Sequence, residues 1–338
     1  MNNILAVITP SLKTPSFRYR IKQYVPFLSN SGWTVEIREL PRISVDDVNN
    51  MKFWLDKASL LFLQKKLLNK KETRLLDTWK SKIIFDFDDA VYLPAFNLAP
   101  GISGFCKRRH CRKKFLQTVN LANSIICANK VLAAQISQLE KTCHILPTPV
   151  PVDRYIQADF SKNGPFVMGW IGTDSNQRYL DLLEEPLRRL NSEKDIMLKI
   201  ISGKPYPFKA CPVEFKKWAL QDEAADLASL DVGVMPLTDD SWTRGKAAFK
   251  ALQYMSAGLP SVLSPVGMNK SVIKHGTNGF LAETDKEWFE NLLMLAEDID
   301  LRKKVGNAAR EFVQEKYSLA VTAPKLLEIL QSCLEKSG

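Results

Sequence analysis

The chain has 338 residues, 45% hydrophobic and 25% charged, room for two domains of ordinary globular composition. A formal net charge of +10 and a pI near 9.2 point to an acidic partner: nucleotide phosphate, an anionic membrane surface or nucleic acid. Six cysteines without a framework spacing argue against a disulfide scaffold, and no apolar run reaches the about 18 residues of a membrane span, so a cytoplasmic location is expected.

Short apolar runs bounded by turn residues alternate with amphipathic stretches, the pattern of a parallel α/β protein. Residues 4–8 read as a buried strand. Residues 18–29 read as a helix with Ile21, Tyr24, Val25 and Leu28 on one face, ended by Gly32, and 34–37 as the next strand. Further strands are expected at 60–63, 83–87 and 124–128, followed by a helix over 130–140 and a short strand at 144–146. Three prolines among residues 147–151 read as a stiff linker. After it the alternation resumes, with strands at 166–171, 198–202, 232–235, 260–264 and 279–282. A helix carries Tyr179, Leu180, Leu183, Leu187 and Leu190, and terminal helices contain Trp288, Phe289 and Leu292. Two βαβ halves joined by a proline hinge are expected, without a solenoid repeat.

The segment from Gly245 to Gly258 reads as one helix that begins with Lys246 and Lys250. Four residues apart, they would share a face and close on one anion, aided by the helix N-terminus. A diphosphate seat and a plain solvated lysine face both fit that spacing. A strand running into Gly172, followed by Thr173, Ser175 and Asn176, offers a close backbone approach and polar donors, or simply a capped helix start. It lacks G-x-G-x-x-G, which disfavours dinucleotide binding. Another glycine turn, at Gly267 and Met268, follows a strand at the edge where open α/β sheets bind ligands. His275 reads as a surface histidine.

In the first half, a buried strand ends in Asp86, Asp88 and Asp89. Crowded carboxylates raise one another's pKa, and Asp88 or Asp89 is a candidate base toward an acceptor hydroxyl. Strand-Asp-x-Asp also resembles the first motif of haloacid-dehalogenase-type phosphatases. There Asp86 would be the nucleophile, Asp88 its partner, Mg²⁺ the metal, and Asp239-Asp240 a late acidic pair. Arg18 and Arg20 open the first helix and are candidates for contact with an acceptor or a donor phosphate, or for a solvated face. The run 107–114 holds Lys107, Arg108, Arg109, Arg112, Lys113 and Lys114 and follows an apolar, turn-rich segment at 94–105. It suits an anionic membrane surface or a lipid-linked acceptor, so a peripheral contact with the inner membrane face is a further expectation. No named nucleic-acid motif accompanies it, and none is expected as partner. Cys106, His110 and Cys111 lack a fourth ligand for zinc.

The stretch with Asp239, Trp242, Gly245, Lys246, Lys250, Gln253-Tyr254-Met255, Gly258, Pro260, Ser264-Pro265-Val266-Gly267 and Gly276-x-x-Gly279 resembles the C-terminal domain of GT-B glycosyltransferases. It is most similar to the family 4-like group, also described as glycosyltransferase family 1 proteins. The turn at 169–173, Pro147-Thr148-Pro149 and the first helix with Gly32 fit the same group, so the resemblance covers nearly the whole chain. It implies a GT-B fold: two Rossmann-like domains with parallel sheets facing a central cleft. Residues 1–150 would form the acceptor domain, with a terminal helix from about 315 to 338 packing back on it, and 151–314 the donor domain.

The implied reaction moves a sugar, a hexose in this class, from a nucleotide-diphosphate donor to a glycan or lipid-linked acceptor hydroxyl, without metal or other cofactor. Gly172, Thr173, Ser175, Lys246 and Lys250 would then bind the diphosphate, Gln253 the ribose or sugar, and Gly267 and Met268 would add backbone donors. Two glutamates typical of the family fall on Gly245 and Gln253, which leaves a silent sugar-nucleotide-binding protein as another reading.

Overall fold

The computed structural model describes residues 3–94, 102–161 and 163–336. It divides into two compact units. One comprises Met1–Pro149, Gly245–Ala247 and Leu319–Gly338; the other comprises Val150–Arg244 and Ala248–Ser318.

The first unit runs β1 (Asn3–Thr9), α1 (Pro15–Arg20), α2 (Val25–Asn30), β2 (Trp33–Glu39), α3 (Val45–Lys57), β3 (Leu60–Gln64), α4 (Lys70–Leu76), β4 (Ile83–Phe87), α5 (Ile102–Leu121), β5 (Ser124–Cys127), α6 (Lys130–Ala133) and β6 (Thr142–Ile145). Its six strands form one parallel sheet in the order β2-β1-β3-β4-β5-β6. Strands β3 and β4 are buried along their whole length, as expected of a parallel sheet covered on both faces. The single helix expected over 18–29 is instead α1, a 3-10 turn at Lys22–Tyr24, and α2. Pro26 sits in the first turn of α2, where its missing N–H is tolerated and the helix restarts. The helix expected over 130–140 stops at Ala133, and a 3-10 turn at Ser137–Leu139 closes on Glu140 with φ 48°.

The second unit runs β7 (Phe166–Ile171), a 3-10 stretch over Asp174–Leu183, α7 (Glu184–Glu193), β8 (Ile196–Ser202), β9 (Val213–Lys217), α8 (Glu223–Ala228), β10 (Val232–Met235), α9 (Phe249–Ser256), β11 (Ser261–Leu263), α10 (Asn269–Val272), β12 (Phe280–Leu281), α11 (Asp285–Glu297) and α12 (Ile299–Tyr317). Its sheet is also six-stranded and parallel, in the order β12-β11-β10-β7-β8-β9. Strand β9 lies at the edge and is largely exposed.

The last helix, α13 (Leu319–Glu335), groups with the first unit. Ala323, Leu326, Leu330 and Cys333 recur at helical spacing and bury against Leu5, Phe17, Tyr24 and Leu60. Truncating a fully buried leucine of this kind costs about 2–5 kcal/mol, so α13 is an integral part of that core. Among the described residues, no helix is long and apolar enough to cross a membrane.

Candidate functional site

In the second unit, β7 delivers Gly172 and Thr173 to the carboxyl edge of the sheet, between the ends of β8 and β10. The Gly172 amide donates to the Ile201 carbonyl at 3.0 Å. The Asp174 carboxylate accepts from the Ser202 hydroxyl and the Gly203 amide, both at 2.9 Å, and so anchors the turn. The exposed Thr173 hydroxyl accepts from the Asn176 amide at 2.8 Å and lies 3.2 Å from the Ser175 hydroxyl.

Helix α9 is pinned above this turn by Tyr254. Its buried hydroxyl accepts from the Ile171 amide at 3.1 Å and donates to the Val234 carbonyl at 3.2 Å. One turn earlier on the same face stands Lys250. Its ammonium lies 4.2 Å from the centroid of the Trp170 ring, a cation–π contact. A Cβ placed on Gly172 would meet the Lys250 ammonium at 2.6 Å and Trp170 Cη2 at 2.6 Å. Glycine is therefore required for lysine and turn to approach this closely. The chain enters α9 through Ala248 in the left-handed conformation, φ 51°, and no side chain caps the helix start. A non-glycine residue held there stores about 1–2 kcal/mol of strain.

This geometry corrects the expected lysine pair. Helix α9 begins at Phe249, so Lys246 precedes it, and 245–247 groups with the first unit. Lys250 alone stands on the helix; the left-handed Ala248 breaks the spacing that would have aligned the two.

In the first unit, Arg20 and Asp86 form a buried ion pair, exposed by 3% and 1%. Arg20 Nε donates to Asp86 Oδ1 at 2.9 Å and Oδ2 at 2.8 Å, and Nη2 donates to Oδ1 as well. Nη1 donates to the Leu146 carbonyl at 3.0 Å and to the Thr148 hydroxyl at 3.1 Å. Arg20 thus joins α1, β4 and the chain leaving β6, which corrects its expected contact with substrate: it is sealed in the core and fully engaged. Asp86 is likewise no free nucleophile, since Arg20 covers both its oxygens. Asp239 pairs with Arg244 and Asp240 accepts from the Trp242 and Thr243 amides, so neither completes a phosphatase site. Among the described residues there is no group of three or more His, Cys, Asp or Glu side chains placed to hold a metal.

Asp88 and Asp89 converge on a residue the sequence reading passed over, Lys65. Its ammonium lies 3.1 Å from Asp88 Oδ1, 2.5 Å from Asp89 Oδ2, and donates to the Ser16 hydroxyl at 3.1 Å. Lys65 follows β3 directly with φ 54°, and its amide donates to the Asp86 carbonyl at 2.7 Å. Polar residues just past the end of β3, at the ligand-binding edge, were the available signal.

Burial opposes ionisation of Asp88, but Lys65 and then Arg20 outweigh it and hold the carboxyl below the usual range. Burial likewise opposes charge on Lys65, and Asp88 and Asp89 raise it above the ordinary lysine value. Mutual carboxylate repulsion, expected to raise these pKa values, is thus overridden for Asp88. Asp89 is half-buried and Asp88 buried. Arg18 lies half-buried on α1, 5.6 Å from the centre of the Tyr19 ring.

Residues 165–298 match the family model for glycosyl transferases group 1. The second unit carries most of this match. Solved structures align over nearly all of the chain, among them three relatives of the fold. HepE of Anabaena, in complex with UDP and glucose, is 13% identical with a TM-score of 0.72, covering 98% of this chain and 100% of that one. A glycosyltransferase from Rickettsia africae ESF-5 is 13% identical, TM-score 0.71, with 99% of each chain covered. Sucrose-phosphate synthase from Thermosynechococcus elongatus is 12% identical, TM-score 0.69, with 98% of each covered. At these identities the likeness establishes the fold, GT-B; together with the match over residues 165–298 it supports a transferase enzyme. No curated protein sequence matches it.

Within the glycosyltransferase domain, Gln253 is 5% exposed and its amide donates to the Tyr155 hydroxyl at 3.1 Å. Tyr155 donates on to Glu223 at 2.8 Å, which also accepts from the Trp218 indole at 2.8 Å. The side chain expected at the ribose is thus built into a core network. Gly267 has φ 52°, and a Cβ there would meet the Arg244 carbonyl at 2.4 Å; Met268 beside it is buried. The run 107–114 lies on α5, whose sequence contains no acidic residue. Of the segment 94–105 that precedes it, 95–101 lies outside the described residues.

Proposed function

We propose that this glycosyltransferase moves a sugar from a nucleotide-diphosphate donor to a hydroxyl of a glycan or lipid-linked acceptor, with the donor diphosphate seated on the second unit. The observation that carries this reading is Lys250 closing over Gly172 at the end of β7. There a fixed cation, a helix N-terminus without a side-chain cap and a backbone free of side-chain bulk meet at the carboxyl edge of a parallel sheet. As the bond to the sugar breaks, negative charge grows on the leaving diphosphate. Pre-placed positive charge stabilises that state without reorganisation. Because this charge comes from the protein, transfer is expected to run without a metal. Thr173 and Ser175 add hydroxyls at the rim, and the turn at Gly267 and Met268 adds backbone donors.

On the first unit, Asp89 is the better acceptor-side group, since it is the more exposed of the two carboxylates on Lys65. Asp88, held anionic, supports it. Cations on α5 favour an anionic surface near the acceptor. Lys107, Arg108, Arg109, Lys113 and Lys114 lie on that helix, Arg112 is placed over the Tyr92 and Phe115 rings, and Phe105 beside them is 57% exposed. Vesicles with anionic lipid should co-sediment the protein and release it as salt is raised; binding to neutral vesicles alone would defeat this part.

The donor reading is tested by thermal shift with UDP, GDP and ADP and their glucose conjugates, since a ligand bound only by the folded state raises Tm. UDP and UDP-glucose are the natural first probes because HepE is solved with both. Silence toward every diphosphate would overturn the proposal. Binding without sugar release or transfer would favour the silent binder, a reading supported by Gly245 and the core-bound Gln253.

A further inference from the structure

Two thiols in the first unit meet on the diagonal between neighbouring strands, Cys127 opposite Ile145 and Cys143 opposite Ile125. Cys127 ends β5 and Cys143 lies in β6, the edge strand of the sheet. Their sulfurs are 3.6 Å apart. Cys127 is fully buried, whereas Cys143 is half-buried. Cys106 and Cys111 lie on α5, and Cys211 and Cys333 are buried elsewhere.

We propose that Cys143 and Cys127 form a peroxide-responsive dithiol, with Cys143 the reacting thiol and Cys127 the resolving one. The co-substrate class is a small hydroperoxide. The Cys143 thiolate attacks the peroxide oxygen, the O–O bond breaks, and hydroxide or alkoxide leaves, taking up the proton the thiol released to become water or an alcohol. The product is a sulfenic acid on Cys143. The Cys127 sulfur then attacks Cys143 Sγ, the S–O bond breaks, and hydroxide leaves with the Cys127 proton as water. Two electrons have passed from the thiols to the peroxide, and one S–S bond has formed. The order of attack follows exposure, because peroxide reaches the half-buried thiol first. The contact between the two sulfurs agrees with that order: it lowers the Cys143 pKa, while Cys127 is raised by it and by burial.

The placement gives the bond a structural effect. Leu146, one residue past β6, donates its amide to the Cys127 carbonyl at 2.9 Å, and its carbonyl is held by Arg20. A Cys127–Cys143 bond would therefore tie the edge strand to β5 just before the chain leaves this unit at Pro149. It closes a short loop, which restricts the unfolded chain.

Trypsin separates the two thiols cleanly, because residues 115–130 contain Cys127 and residues 142–154 contain Cys143 as their only cysteines. The full-length protein, treated with hydrogen peroxide and blocked with an alkylating agent, should yield these two peptides joined. Their linked mass should be about 2 Da below the sum of the free peptides, and dithiothreitol should separate them. Oxidised protein should melt several degrees higher than reduced protein. Cys127→Ala should stop at a Cys143 sulfenic acid trapped by dimedone, and Cys143→Ser should leave Cys127 reduced. Oxidation confined to Cys106 or Cys111 while Cys143 stays alkylatable would overturn the proposal. So would a linked peptide that still forms, through another cysteine, in Cys143→Ser.

Discussion

Replacing Asp86 by alanine separates a structural carboxylate from a catalytic one. In the native chain both its oxygens are covered by Arg20, at 1% and 3% exposure. Removing the carboxylate leaves the guanidinium buried without a counter-charge, which costs about 3–5 kcal/mol. At about 2–4 °C per kcal/mol for a unit of this size, Tm should fall by roughly 6–20 °C. Arg20→Met should cost a similar amount, because it strands Asp86 instead. The double variant Arg20→Met/Asp86→Leu removes both charges and leaves mainly the Leu146 carbonyl and Thr148 hydroxyl without their donor, about 1–3 kcal/mol. The coupling energy should therefore reach at least about 3 kcal/mol. Calorimetry on the full chain and the three variants measures it. If Asp86→Ala keeps its melting temperature and loses turnover, Asp86 is a reacting group and the structural account fails.

Other outcomes follow from the same geometry. Gly172→Ala should weaken donor binding while preserving the fold, because a Cβ would collide with the Lys250 ammonium and with the buried Trp170 ring; calorimetric titration with a binding nucleotide checks this, and unchanged affinity would contradict it. Asp88, held below its ordinary value, contributes stability that is complete above the unfolded pKa of about 3.9 and is lost as pH falls through its lower folded value. Tm should thus hold steady from about pH 7 to 5 and drop below about pH 4. In Lys65→Met the buried carboxylate loses its cation, so the deficit against wild type should shrink as acid protonates it; a deficit independent of pH would be the wrong result. Chelation with EDTA should leave the rate of sugar transfer unchanged, whereas loss of rate restored by a divalent ion would show that a metal supplies the charge assigned to Lys250.

The strands were legible because a parallel sheet buried on both faces leaves near-continuous apolar runs, as in β3 and β4. Strand β9 was not, since Val-Glu-Phe-Lys-Lys at an exposed edge carries no such run. Pro26 signalled the break between α1 and α2, yet apolar spacing at Ile21, Tyr24 and Leu28 concealed it. The start of α9 was hidden by Ala248, since alanine is the strongest helix former and nothing local marks its left-handed turn. Gly172 and Lys250 were each readable as phosphate-site residues. Their contact with Trp170 was not, because it depends on Tyr254 docking α9 onto β7. Lys65 stayed invisible for a related reason. Its partners Ser16 and Asp89 lie 49 and 24 positions away, and only the closed sheet brings them together.

Lys250, poised on Gly172, is proposed to seat the donor diphosphate. Isothermal titration of UDP-glucose, or of whichever diphosphate stabilises the protein, into wild type and Lys250→Ala tests it most directly. A charged hydrogen bond of about 1.5–3 kcal/mol predicts roughly a 10- to 150-fold loss of affinity, with the melting temperature of the free protein nearly unchanged. An affinity equal to wild type in Lys250→Ala would show that the diphosphate is held elsewhere.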